Sequence, residues 1–279
     1  MLPRFSSVKA NSTEEALSCL AALDDASVLA GGTDLLVRMK KGEAHRNVID
    51  IGGVAELIGV REKDGAISLG ACTTHSVLSA DPTIATACAS LAIACSGVGS
   101  PQIRNMGTIG GNLVNASPAA DSIAPLLLHN ASVTLRSTDG ARTEELGKFI
   151  TAPYKTTISD KEILTSVSIE ALRGYAEGYR RVAKRAALAI SRLSVAWAIR
   201  EEEGVFVDAR IAIGSCTPLP FRPVDAEAYL NGKVKEKRVA AEAVKMVIEA
   251  IRHISGERPS FVYKLPVVRD LLLSVLGGA

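Results

Sequence analysis

Aromatic side chains are scarce in this chain of 279 residues. Phe, Tyr and Trp make up 4% of it, although hydrophobic residues reach 47%. Ala, Val, Leu and Ile carry the apolar content, which suits α/β packing and fits a subunit with buried partner surfaces. A charge of one sign is also lacking. Lys and Arg number 32 against 30 Asp and Glu, so nothing favours nucleic acid or an acidic membrane surface as a partner. No apolar run approaches the roughly 20 residues of a membrane span. The start, Met1-Leu2-Pro3-Arg4-Phe5, lacks the apolar core of a secretion signal. Asn11, Asn115 and Asn130 open glycosylation triplets, which carry no weight in a protein that is not exported. A cytoplasmic protein is expected.

Cysteine is present but not patterned. Cys19, Cys72, Cys88, Cys95 and Cys216 form no C-x-x-C pair, whereas an iron–sulfur centre needs four thiolates, some closely spaced. Reduced packing or surface thiols are expected. Cys88 and Cys95, seven residues apart, would share a face if their stretch is one helix. His45, His75, His129 and His253 each stand alone, so no metal site is expected. No nucleophile is paired with a base, and no two carboxylates meet at a plausible site. No catalytic residue is therefore assigned, and the hard chemistry would belong to a bound cofactor.

What the chain does have is two glycine pairs. The first lies in Val28-Leu29-Ala30-Gly31-Gly32-Thr33-Asp34-Leu35-Leu36, the second in Gly107-Thr108-Ile109-Gly110-Gly111-Asn112-Leu113. In the first, Val28 to Ala30 reads as a buried strand and Leu35 to Lys41 as a short helix stopped by Gly42. Thr33 can cap that helix, leaving first-turn amides turned toward the glycines. Glycine permits positive φ and lets a ligand approach bare backbone, so a strand, a glycine turn and a helix start together suit phosphate oxygens. Two such loops suggest a dinucleotide. Neither fits the G-x-G-x-x-G fingerprint with an acid about 20 residues on, which argues against a Rossmann fold. Taken alone, a single pair reads as no more than a tight turn; it is the second loop that shifts the reading. Asp121, ahead of the apolar run Ile123 to Leu128, is open to two readings: a helix N-cap, or an acceptor for ribose hydroxyls.

Three segments, Ala30-Gly31-Gly32-Thr33-Asp34-Leu35, Ile103-Arg104-Asn105-Met106-Gly107-Thr108-Ile109-Gly110-Gly111-Asn112 and Ala116-Ser117-Pro118-Ala119-Ala120-Asp121, resemble the flavoprotein subunit of the molybdenum hydroxylases. That family includes the medium subunit of aerobic carbon monoxide dehydrogenase and the FAD domain of xanthine dehydrogenase. The likeness continues through Asp160-Lys161-Glu162-Ile163-Leu164 and Tyr179-Arg180-Arg181-Val182-Ala183-Lys184-Arg185-Ala186-Ala187, in the family's order and spacing. It implies non-covalent FAD, with Leu29, Ala30, Gly31, Gly32, Thr33, Asp34, Leu35, Thr108, Ile109, Gly110, Gly111, Asn112 and Asp121 in contact with it. It also places Val98 and Leu164 beside the ring or the adenine half, where core packing is the other reading. Arg180 falls near the flavin's pyrimidine edge, a place where the family often has lysine; a solvated basic face is its other reading. Partners implied are a molybdenum-pterin large subunit and an iron–sulfur small subunit, with the clusters and the pterin on those chains only. A self-contained flavin reductase of the same fold, or a non-catalytic assembly subunit, are the alternatives.

The fold class implied is α+β: a two-subdomain FAD-binding fold of the vanillyl-alcohol oxidase (PCMH) type, then a C-terminal domain of antiparallel sheet plus helices. Residues 1–55 read β-α-β-α-β, with a capping box at Ser12-Thr13-Glu14-Glu15. Residues 56–172 form the second subdomain, with a strand at Ala66 to Gly70 and Thr74 capping His75 to Ala80. Pro82 opens a helix expected to run to about Ala94. Strands at Ser132 to Arg136 and Lys161 to Ile169 follow. In residues 173–279, Ala186 to Ile199 is ambiguous between helix and strand. Val205 to Val207 and Ala209 to Gly214 read as a hairpin pair, and helices fall at Ala226 to Leu230, Lys237 to Ile254 and Leu265 to Leu276.

Overall fold

The computed structural model describes residues 2–185 and 190–277, which build three larger sheets in chain order and one two-stranded sheet. Ala186 and Ala187 of the family resemblance, and the Ala186 to Ala189 part of the ambiguous run, lie outside the described residues. The first unit alternates β1 (Ser6–Lys9), α1 (Thr13–Ala22), β2 (Ala26–Leu29), α2 (Leu35–Lys40) and β3 (Asn47–Asp50). Its strands lie parallel in the order β1-β3-β2. Ser12 caps α1, its Oγ accepting from Glu15 N at 3.1 Å. The return arm of the capping box reaches one residue further, because Glu15 Oε2 accepts from Asn11 N at 2.8 Å. Leu17 and Leu20 of α1 then bury against Ile49 and Ile51.

The second unit is a five-stranded antiparallel sheet in the order β4-β5-β10-β6-β7. It comprises β4 (Val60–Lys63), β5 (Ala66–Gly70), β6 (Ser132–Ser137), β7 (Gly140–Glu145) and β10 (Ile163–Glu170). Six short helices intervene between β5 and β6: α3 (His75–Ala80), α4 (Pro82–Ala87), α5 (Ala89–Gly97), α6 (Pro101–Met106), α7 (Ile109–Asn115) and α8 (Ile123–Leu128). A one-turn α9 (Leu146–Phe149) and the small hairpin β8 (Ile150–Ala152) and β9 (Lys155–Thr156) precede β10. Ile67 and Leu69, Val133 and Leu135, and Val167 and Ile169 from the three central strands bury against Leu91, Ile109 and Leu113 of the helices.

The single helix expected from Pro82 is broken at Cys88 (φ −155°, ψ 53°), so Cys88 and Cys95 do not share one helix. Distant groups hold the break. Ala87 O accepts from Leu172 N at 3.0 Å, and the Glu177 carboxylate accepts from Ser90 N at 3.0 Å, capping α5 from 87 positions away. The second glycine pair also differs from expectation. Gly110 and Gly111 form the first turn of α7, whose cap Thr108 accepts from Gly111 N.

The third unit is an antiparallel meander of β11 (Ala176–Ala183), β12 (Ser191–Glu202) and β13 (Val205–Gly214). The two short strands expected at 205–214 are one strand paired along β12. Helices α10 (Val224–Leu230), α11 (Lys237–Ser255) and α12 (Phe261–Leu276) cover one face, packing Val244, Val247, Val268 and Leu272 on Val195, Phe206 and Ile211. The other face is rich in alanine, with Tyr179 beside it. Ala196, Ala198 and Ala212 meet Ala94 of α5 and Ala124 of α8, so the meander lies close against the helices of the second unit.

Candidate cofactor site

Between the first sheet and the helices after β5 lies a cleft of about 590 Å³, within the roughly 300–1,000 Å³ usual for ligand sites. Its first wall is the turn from β2 into α2, Ala30 to Asp34. Gly32 has φ +69° there, a conformation that favours glycine. Gly31 answers a different need. A Cβ on it would fall 1.8 Å from the carbonyl oxygen of Met106, so glycine lets this turn touch the junction of α6 and α7. The two glycine segments thus meet each other as well as the cleft.

Four consecutive amides, those of Gly31, Gly32, Thr33 and Asp34, have no acceptor among the described residues. A run of free donors beside a glycine with positive φ is an anion-binding concavity. Thr33 does not cap α2 as expected. Asp34 occupies the cap position in helical conformation with no side-chain bond, and the Thr33 hydroxyl lies beside Gly107 instead.

The second segment is built differently. Ile109 N donates to Thr73 O and Gly110 N to Ala71 O, both at 2.9 Å; Asn112 N donates to Thr108 O at 2.9 Å, and Gly111 N to Thr108 Oγ1 at 3.2 Å. These amides are committed to the helix and its anchoring. Gly110 is needed because a Cβ would sit 2.7 Å from that of Ala71. Gly111 has only the Thr108 hydroxyl near its Cβ position, and so presents bare backbone to the cleft. The segment supplies close approach rather than donors.

Ala30 through Leu35, Val98, Thr108, Gly110, Gly111, Asn112 and Leu164 all line the cleft, whereas Leu29, Ile109, Asp121 and Arg180 do not. Leu29 ends β2 half-buried, and Ile109 is fully buried in the core. Asp121 is turned toward the C-terminal sheet. It accepts from Tyr179 Oη and Ser191 Oγ, each at 2.6 Å, and from Arg181 Nη1 at 2.7 Å. Nor does it cap α8, where Ser122 holds the N-cap position. Arg180 is exposed, because alternation along β11 puts Tyr179 and Arg181 on the inward face and Arg180 on the other.

Residues that the sequence did not single out also line the cleft. Arg38 of α2 donates to Asn115 Oδ1 at 2.7 Å and to Glu43 at 2.9 Å, setting a cation one turn beyond the free amides. His75 begins α3, its Nδ1 3.4 Å from Cys95 Sγ. Burial, helped by the charge of Arg104, lowers its pKa to about 4, so the ring is neutral at pH 7. The signal for Arg38 was its place just past the first glycine pair; His75 gave only a helix-start signal.

Among the described residues, Cys88, His129 and Glu177 bring possible ligand atoms within 4.8 Å of one another. Two of the three, His129 and Glu177, are engaged in hydrogen bonds to other groups of the chain. His129 Nδ1 bonds Glu170 O at 2.7 Å and Nε2 bonds Glu177 at 3.1 Å, while Ser90 donates to Glu177 through N and Oγ. Burial alone would raise the pKa of Glu177, but the bond and charge of His129 together with the two bonds from Ser90 outweigh it and hold the carboxylate ionised.

Residues 3–170 match the family described as FAD binding domain in molybdopterin dehydrogenase, and residues 178–279 match the CO dehydrogenase flavoprotein C-terminal domain. The chain is 33% identical over 276 residues to the glyceraldehyde dehydrogenase medium chain of Sulfolobus acidocaldarius, covering 97% of this chain and 96% of that one. It is 29% identical over 283 residues to the carbon monoxide dehydrogenase medium chain of Hydrogenophaga pseudoflava, covering 99% and 97%. A solved carbon monoxide dehydrogenase of that organism superposes with a TM-score of 0.90 at 28% identity, over 98% of this chain and 96% of that chain. Quinoline 2-oxidoreductase from Pseudomonas putida 86 gives the same TM-score at 26% identity, over 99% and 96%. The FAD-binding part followed by an antiparallel C-terminal domain is the architecture of those relatives, and the chain belongs to the FAD-binding flavoprotein subunits of the molybdenum hydroxylases.

Proposed function

We propose that this chain is the electron outlet of a three-subunit molybdenum hydroxylase, holding FAD non-covalently in the cleft. Electrons would arrive from iron–sulfur clusters of a small subunit, supplied by a molybdenum-pterin large subunit, and leave to an external acceptor. The run of free amides from Gly31 to Asp34 in a glycine-walled cleft carries this reading. Those amides bind the pyrophosphate, and Arg38 adds positive charge at the rim. Gly111 and Asn112 admit the cofactor against bare helix backbone, with Gly110 seating that helix on Ala71. Val98 and Leu164 supply apolar walls for the ring and adenine halves. Residues 1–55 and 56–172 are taken as the two halves that hold FAD between them, and 173–279 as the C-terminal domain. When bound, FAD supplies the redox chemistry, taking electrons singly from a cluster and releasing them in pairs.

No helix of the described residues is long and apolar enough to cross a membrane, and the five cysteines are free, in keeping with a reducing cytoplasm. The test is purification of the full chain, followed by dye-linked assays with carbon monoxide, purines and aldehydes. Flavin absorbance without substrate turnover, and turnover gained on adding both partner subunits, is expected. A colourless chain favours an assembly subunit, and robust turnover by the chain alone favours a self-contained flavoenzyme; either result refutes the proposal.

A further inference from the structure

His75 sits at an unusual point in the cleft. Its ring is 2% exposed, yet it lines the cavity. Nδ1 is 3.4 Å from Cys95 Sγ. Nε2 makes no hydrogen bond among the described residues, and it is not sealed from solvent either. Among the described residues, Ser255 Oγ is the one wholly buried side-chain nitrogen or oxygen without a partner. A buried ring with one nitrogen held from behind and the other open to a cavity is pre-oriented toward whatever fills that cavity.

Position narrows the target. His75 Cδ2, next to Nε2 in the ring, lies 3.4 Å from where a Cβ on Gly107 would be, and Thr33 Oγ1 lies 3.5 Å from the same point. His75 and the turn bearing the free amides therefore face each other across Gly107, no further apart than those two distances together. The backbone locks this arrangement, since His75 N donates to Gly107 O at 3.0 Å. Burial, reinforced by the charge of Asp121, keeps the Cys95 thiol protonated, which makes S–H available as a donor to Nδ1; with that bond made, the ring proton rests on Nε2. In that tautomer the ring offers the cavity a neutral donor, at a position where an oxyanion cradled by the Gly31 to Asp34 amides is within reach.

We propose that His75 is a positioning residue of the cofactor site, its Nε2–H donating to a phosphate oxygen of the bound dinucleotide from the wall opposite the glycine turn. This rests on the flavin reading above. Cys95 acts through His75 by holding the ring's tautomer and direction.

His75→Asn and His75→Gln in the full chain test it, because the asparagine amide substitutes for Nδ1 and stops short of the cavity, while glutamine reaches the place of Nε2. Binding of FAD and of ADP-ribose, which carries the pyrophosphate without the flavin ring, is measured by titration, with the visible spectrum of bound flavin as a second readout. Asparagine should weaken FAD and ADP-ribose by the same factor, roughly ten- to a hundred-fold for a bond to a charged acceptor. It should leave the spectrum of bound flavin unchanged, and glutamine should restore most of the affinity. An asparagine variant that binds like the parent, or a glutamine variant as weak as asparagine, overturns the proposal. A shifted flavin spectrum with ADP-ribose affinity intact also overturns it, by placing His75 at the ring. A parent chain that binds neither ligand overturns the flavin reading itself, and this inference with it.

Discussion

Replacing Asp121 by alanine separates two roles that its sequence position leaves open. In the structure its carboxylate receives three hydrogen bonds, at 2.6, 2.6 and 2.7 Å, from Tyr179, Ser191 and Arg181. The Asp121 side chain is 7% exposed and that of Arg181 16%, so alanine would remove the carboxylate facing a largely buried cation and strand two hydroxyl donors. Breaking a buried pair in this way costs about 3–5 kcal/mol; the remaining exposure of Arg181 points to the low end, about 3 kcal/mol. For a chain of this size each kcal/mol moves Tm by roughly 2–4 °C, so the flavin-free variant should melt roughly 6–12 °C below the parent. Asp121→Asn keeps the shape and an acceptor for Tyr179 or Ser191, and should lose less. FAD affinity, by titration below the melting range, should change less than about twofold, well short of the 1.4 kcal/mol that corresponds to tenfold. An Asp121→Ala variant with the parent's Tm and a tenfold or larger loss of FAD affinity would refute this and put the carboxylate on the cofactor.

Gly111→Val should abolish FAD retention with little change in far-UV circular dichroism, since Gly111 lines the cleft and only the Thr108 hydroxyl, 2.9 Å away, lies near the added Cβ; undiminished binding would show that the cofactor avoids α7. The flavin-free chain should lose stability as pH falls from about 6.5 toward about 4. His75 holds its proton more weakly folded than unfolded, so the unfolded state binds the extra proton in that window and stability rises with pH, by up to about 3 kcal/mol. Denaturant melts at pH 7 and pH 4.5 check this, and His75→Gln should flatten the difference.

Local signals carried far in the sequence. The β-α-β-α-β start was legible because its elements announce themselves within a few residues, as in the Ser12 cap of α1, and the Thr74 cap announced α3 in the same way. The glycine turn after β2 was legible for the same reason. What the sequence hid depended on partners far along the chain. The break at Cys88 is capped by Glu177, 87 residues from Ser90. Asp121 meets Tyr179 and Ser191, 58 and 70 positions on. Between Arg180 and Arg181 the difference is one step of strand alternation, which reverses the face on which each side chain stands. In the second glycine pair, the amides were taken up by Ala71, Thr73 and Thr108, acceptors that only the folded helix brings near.

The alanine face shared by β12, β13, α5 and α8 bears on how the chain falls apart. Two separate family matches divide it near residue 170, which invites the view that the C-terminal part is a detachable module. Glu177 closes the open end of α5, Arg181 and Tyr179 bond to Asp121, and the alanines of the meander pack against Ala94 of α5 and Ala124 and Leu128 of α8. A fragment cut at the boundary would expose that seam, leave an acid without its buried donors and uncap a helix at once. The two parts are thus bound into one cooperative unit. A single calorimetric transition, rather than two, is the behaviour this joint dictates.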